Sequence, residues 1–136
     1  MYIMVSLNGN LSSIQLLIAP ELFSPGATYT EKCDIYSLSI ILWELMKRIL
    51  EGKYFQPYKD EYTKLKLDYQ IFYQVSANNL RPTIPNTCPE ALKSLIQQCW
   101  DREPENRPSA SELFDQITTL TLDFQQNTDS WNYLCK

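Results

Sequence analysis

At 136 residues, with 44% hydrophobic and 12% aromatic content, the chain can bury one ordinary core, which excludes a wholly disordered polymer. The formal net charge of -4 is spread along the sequence without a basic block, which argues against a nucleic-acid face and a polybasic membrane patch. The cysteines Cys33, Cys88, Cys99 and Cys135 show no CxxC spacing and the chain has no histidine, so thiols in a reducing compartment are expected rather than a zinc site.

Two apolar runs, Tyr2–Leu7 and Leu11–Ile18, flank Asn8-Gly9-Asn10, a pattern that predicts a short hairpin or extended pair. The stretch lacks a basic n-region and an unbroken apolar core, so it makes a poor signal peptide and a poor membrane span. A cytoplasmic location follows as the expectation. Ser24-Pro25-Gly26-Ala27 marks a turn. Thr30 then offers an N-cap, with Glu31 suited to the positive end of the helix dipole. The run Cys33–Leu50 is apolar almost all round, which predicts a helix enclosed by protein, since Asp34, Glu44, Lys47 and Arg48 oppose a bilayer. Residues 51–66 mix aromatics with Lys/Glu alternation and read as a surface loop, followed by a helix from about Leu65 to Ala77. Asn78-Asn79 stops that helix, and Arg81-Pro82-Thr83-Ile84-Pro85 must be extended, because each proline disfavours helix in its predecessor. Leu92, Leu95, Ile96 and Cys99 form the stripe of a helix over Glu90–Trp100. A capping box of Ser109 and Glu112 opens the last helix, with Leu113, Phe114, Ile117, Leu120 and Phe124 as its apolar face. The tail from Gln125 is polar until Trp131, Tyr133 and Leu134, and no internal repeat is present.

Four segments fall in one order: Ala19-Pro20-Glu21; Asp34-Ile35-Tyr36-Ser37 followed by Trp43-Glu44-Leu45; Leu80-Arg81-Pro82; and Cys99-Trp100-Asp101 followed by Asn106-Arg107-Pro108. Together they resemble the C-terminal lobe of eukaryotic protein kinases, in particular the tyrosine-kinase-like and tyrosine kinase groups, over residues 15–124. The resemblance implies that Glu21 pairs with Arg107, tying the activation segment to the helical subdomain. Bidentate geometry favours Arg over Lys in such a pair. It also implies that Asp34 accepts backbone N–H bonds from a catalytic loop and so anchors it. Trp43 and Trp100 are expected in the core.

Phosphoryl transfer in this family needs a Gly-rich loop, a strand Lys paired with a helix Glu, a catalytic-loop Asp and Asn, and an Asp-Phe-Gly. Gly9, Gly26 and Gly52 form no G-x-G-x-x-G, and neither His-Arg-Asp nor Asp-Phe-Gly occurs. Ser13-Ile14 stand where a Gly-Thr pair usually opens the substrate-docking loop, and Ser39 stands where Gly is common. The expected fold is therefore mainly α, a helical C-lobe subdomain of the protein kinase-like fold with the N-lobe absent. Residues 1–14 form an atypical N-terminal segment, 15–124 the partial kinase domain and 125–136 a polar tail. No catalytic, cofactor-binding or metal residue is expected in this chain; ATP and Mg²⁺ belong to a complete parent kinase acting on protein Ser/Thr, or on Tyr. The expected partner is a protein, either the missing kinase half or another protein, with no nucleic acid and no membrane. Without that partner, part of the central helix should face water, leaving the chain marginally stable. The alternative function is a non-enzymatic, pseudokinase-like interaction module.

Overall fold

The computed structural model describes residues 15–65 and 68–127. The expected hairpin over 1–14, the 66–67 junction and the tail from residue 128 lie outside them. The described residues form helices and 3₁₀ turns with no strand among them.

The longest helix, α1 (Glu31–Glu51), is the axis of the fold. Thr30 caps it through its backbone, whose carbonyl accepts from Cys33 N at 3.0 Å, while its side chain makes no capping bond. Gly52 ends it at φ 69°, in the left-handed region that a side chain resists, and its N–H returns to the Arg48 carbonyl. Tyr36, Ile40, Trp43 and Met46 pack against Ile96 and Trp100, the largest cluster of buried side chains. Ile35 faces a separate cluster with Leu95, Cys99 and Leu113.

One stripe of α1 faces water, as expected for the central helix of this chain without a partner. Ile41, Leu45 and Ile49 are 38%, 53% and 54% exposed, and their four-residue spacing aligns them along one side of α1. Nothing among the described residues supplies an element to cover that side.

The stretch read as a loop over 51–66 holds a helix, α2 (Lys59–Leu65). It gives no apolar stripe to detect. Its start is fixed instead by Tyr58, which is 3% exposed and sits at φ 60°, with its carbonyl accepting from Glu61 N at 3.1 Å. Next comes α3 (Asp68–Ala77), whose Ile71 and Val75 pack with Leu16 and Tyr58. Asn79, at φ 54°, closes α3: the Gln74 carbonyl receives both Asn78 N (3.1 Å) and Leu80 N (2.9 Å).

Residues 80–85 then run past α1 without helix or strand, and Trp43 Nε1 donates to the Thr83 carbonyl at 3.0 Å. Leu95, Ile96 and Cys99 of α4 (Glu90–Cys99) fill the core side. The final helix, α5 (Ala110–Gln126), opens with both arms of its capping box made: Ser109 N donates to Glu112 Oε2 at 2.7 Å and Glu112 N to Ser109 Oγ at 3.3 Å. Ser109→Ala is expected to cost about 1 kcal/mol in urea unfolding.

The apolar face expected on α5 is only partly buried. Leu113 is 3% exposed, but Phe114 is 69% and Ile117 37% exposed. The cause is geometric: α5 packs along the line from Leu113 to Leu120, narrower than its apolar surface.

Candidate functional site

Two short 3₁₀ turns, far apart in sequence, present the charges of the site. Pro20–Phe23 carries Glu21; Pro20 presets the first turn, and Leu22 N and Ser24 N bond the carbonyls of Ala19 and Glu21, both at 3.1 Å. Pro104–Asn106 precedes Arg107, whose N–H donates to the Pro104 carbonyl at 3.1 Å. Asp101 braces that turn, its Oδ1 accepting from Glu103 N at 2.8 Å and Asn106 Nδ2 at 3.2 Å.

The two turns meet in a bidentate ion pair. Arg107 Nη1 lies 2.7 Å from Glu21 Oε1 and Nη2 2.8 Å from Oε2. Arg107 also donates Nη1 to the Lys32 carbonyl (3.0 Å) and Nε to the Asp101 carbonyl (2.9 Å), and its own carbonyl accepts from Lys32 Nζ. Its side chain is 0% exposed, against 22% for Glu21. Such a charge is tolerated in the core only when paired and hydrogen-bonded, as here. Burial works to raise the Glu21 carboxyl, but the Arg107 hydrogen bonds and charge prevail and hold it below its ordinary value. Cys33 Sγ adds a bond to Glu21 Oε1 at 3.4 Å.

Behind the pair lies a connection that the sequence does not announce. The guanidiniums of Arg107 and Arg81 each sit 5.1 Å from the centre of the Tyr36 ring, which is fully buried. Arg81 is held by three carbonyls: Trp100 O from Nε (2.9 Å), and Leu80 O (2.8 Å) and Val75 O (3.2 Å) from Nη1. Tyr36 thus joins the end of α3, the start of α1 and the turn before α5. Only the prolines around Arg81 hinted at a fixed position; a role for Tyr36 needs tertiary placement.

Asp34 is exposed on the first turn of α1 and accepts a hydrogen bond from the Tyr29 hydroxyl. Trp43 and Trp100 are 4% and 6% exposed in the main core. The thiols of Cys33, Cys88 and Cys99 are free and buried, and burial pushes Cys88 and Cys99 up to about 11, which makes them poor nucleophiles near neutral pH. No three His, Cys, Asp or Glu side chains converge among the described residues. No helix among them is long and apolar enough to cross a membrane. The arrangement is one that fixes elements in place: Arg107 spends Nε, Nη1 and Nη2 on groups of the chain itself.

The family of protein tyrosine and serine/threonine kinases matches this chain over residues 7–117. The chain belongs to that family. This kinase chain is 45% identical over 116 residues to stress-activated protein kinase alpha of Dictyostelium discoideum, covering 85% of the chain and 18% of that protein. A probable serine/threonine-protein kinase of the same organism is 40% identical over 127 residues, covering 93% of the chain and 7% of the relative. A probable tyrosine-protein kinase is 42% identical over 114 residues, covering 82% and 32%. The chain therefore spans less than a third of each of these relatives. Its described residues are helical, consistent with the C-lobe of the kinase-like fold.

Proposed function

We propose that this kinase chain is the C-terminal lobe of a tyrosine-kinase-like catalytic domain, a scaffold that positions phosphoryl-transfer machinery and does not transfer phosphate by itself. The observation carrying this reading is the bidentate Glu21–Arg107 pair, which links the turn after Ala19 to the turn before α5 across 86 residues of sequence. In this reading that pair ties the activation segment to the helical subdomain, and the exposed carboxylate of Asp34 awaits the backbone donors of a catalytic loop. Serine and threonine in a cytosolic protein are the proposed acceptors of the complete enzyme, in keeping with the several relatives that are probable serine/threonine-protein kinases.

The sequence has no Gly-rich loop, His-Arg-Asp or Asp-Phe-Gly, the parts on which transfer depends. Purified to homogeneity and incubated with Mg²⁺, labelled ATP and a mixed protein acceptor, the chain is expected to transfer no phosphate above the buffer control. Transfer that co-purifies with the chain through successive columns would contradict the proposal.

A second reading, an interaction module without enzymatic activity, is favoured by one observation. The stripe Ile41, Leu45 and Ile49 gives α1 an open apolar side, of the kind that marks a protein interface. Both readings place a protein partner on that side.

A further inference from the structure

Beyond the scaffold role, we propose that the groove between the Leu80–Pro85 segment and α4 is a binding site for a phosphate monoester carried by a protein partner. The groove encloses about 430 Å³ and is lined by Arg81, Lys93, Arg102, Asp101, Ile84 and Trp100, among others. Between Leu67 and Cys135 the chain has nine acidic residues and only four basic ones, Arg81, Lys93, Arg102 and Arg107. Arg107 is consumed by the ion pair with Glu21. The other three all line this one groove, against the general acidity of the region.

The single acid in the lining, Asp101, has its Oδ1 committed to Glu103 N and Asn106 Nδ2. The lining charge is therefore close to +2, which matches the -1.5 to -2 of a phosphate monoester near neutral pH better than a single carboxylate. Arg81 gives the groove a fixed positive charge: three carbonyls hold its guanidinium through Nε and Nη1, while Nη2 is buried without an acceptor. Lys93 and Arg102 line the same groove and are held only by exposed ion pairs. Their present partners, Glu90 at 3.3 Å and Glu103 at 3.9 Å, are exposed and solvent-screened, so a dianion outcompetes them. The indole of Trp100 and the side chain of Ile84 supply apolar wall for the flanking peptide. A protein segment fits this mixture of cations and apolar wall better than a free ion does.

The test uses the whole chain fused to a solubility partner, with the partner alone as control. Dye-labelled peptides carrying phosphoserine, serine or glutamate between alanines are titrated in by fluorescence anisotropy. The phosphoserine peptide is expected to bind about tenfold or more tightly than the serine peptide, with inorganic phosphate competing. The double variant K93Q/R102Q is expected to lose about tenfold in affinity while its far-UV spectrum and melting curve stay unchanged. Equal binding of phosphoserine and serine peptides, or of variant and parent, would overturn the proposal. Glutamate binding as tightly as phosphoserine would overturn the assignment to phosphate.

Discussion

Replacing Arg107 with alanine is expected to destabilise the chain by about 3–5 kcal/mol, the cost typical of breaking a buried pair from one side. Several losses add in one direction. The Glu21 carboxylate loses both of its guanidinium bonds, and the carbonyls of Lys32 and Asp101 lose their Arg107 donors. The Tyr36 ring loses one of two cations, and a fully buried side chain leaves a void. Glu21 is 22% exposed and regains some water, which keeps the cost within that range. Domains are stable by only about 5–15 kcal/mol, so this change removes a large share of the stability of a chain with an open apolar stripe. Arg107→Lys keeps the charge but not the fork, and should recover only a minor part.

The same pair sets an acid limit. The carboxyl of Glu21 lies below its ordinary value of 4.5 in the folded chain, so the unfolded chain takes up the proton first as pH falls. The stabilisation is complete above the unfolded value and is lost as pH drops through the folded one. In Arg107→Ala that acid-side loss should be much reduced, which urea melts at a series of pH values will read.

Trp43→Ala is the second large effect, expected at about 3–5 kcal/mol for an aromatic removed from a core. Trp43 is 4% exposed and packs in the main cluster. It is also what joins α1 to the extended proline segment, through the 3.0 Å bond from its indole to the Thr83 carbonyl. Trp43→Phe separates the two contributions. It keeps most of the ring and drops the donor, so it should cost about 1 kcal/mol with a further loss from the smaller ring. A Phe variant as damaged as the Ala variant would mean that the hydrogen bond, and not packing, dominates.

What the sequence makes legible follows from how local each cause is. The capping box at Ser109 and Glu112, the helix stop at Asn78-Asn79 and the extended Arg81–Pro85 all depend on a few adjacent residues. The capping box and the helix stop have the expected local geometry in the structure. Helix α2 is not legible in the sequence because its Lys/Glu alternation carries no apolar period, while the buried Tyr58 that anchors it belongs to a tertiary cluster. Phe114 and Ile117 were legible as apolar but not as exposed, since exposure depends on how wide the neighbouring helix is. Glu21 and Arg107 were paired through the kinase resemblance alone; no local pattern joins residues 86 positions apart. The stack of Arg81 and Arg107 on Tyr36 was not legible at all, because it requires three elements to converge.

The most direct measurement is a double-mutant cycle on the two charges that close the helical subdomain. Glu21→Gln, Arg107→Lys and the combination are each unfolded in urea beside the parent chain. A coupling energy of about 2–3 kcal/mol is predicted, since each single change should already forfeit most of what the other removes. Losses that simply add, to within about 0.5 kcal/mol, would mean that the two groups do not hold one another and would contradict the account.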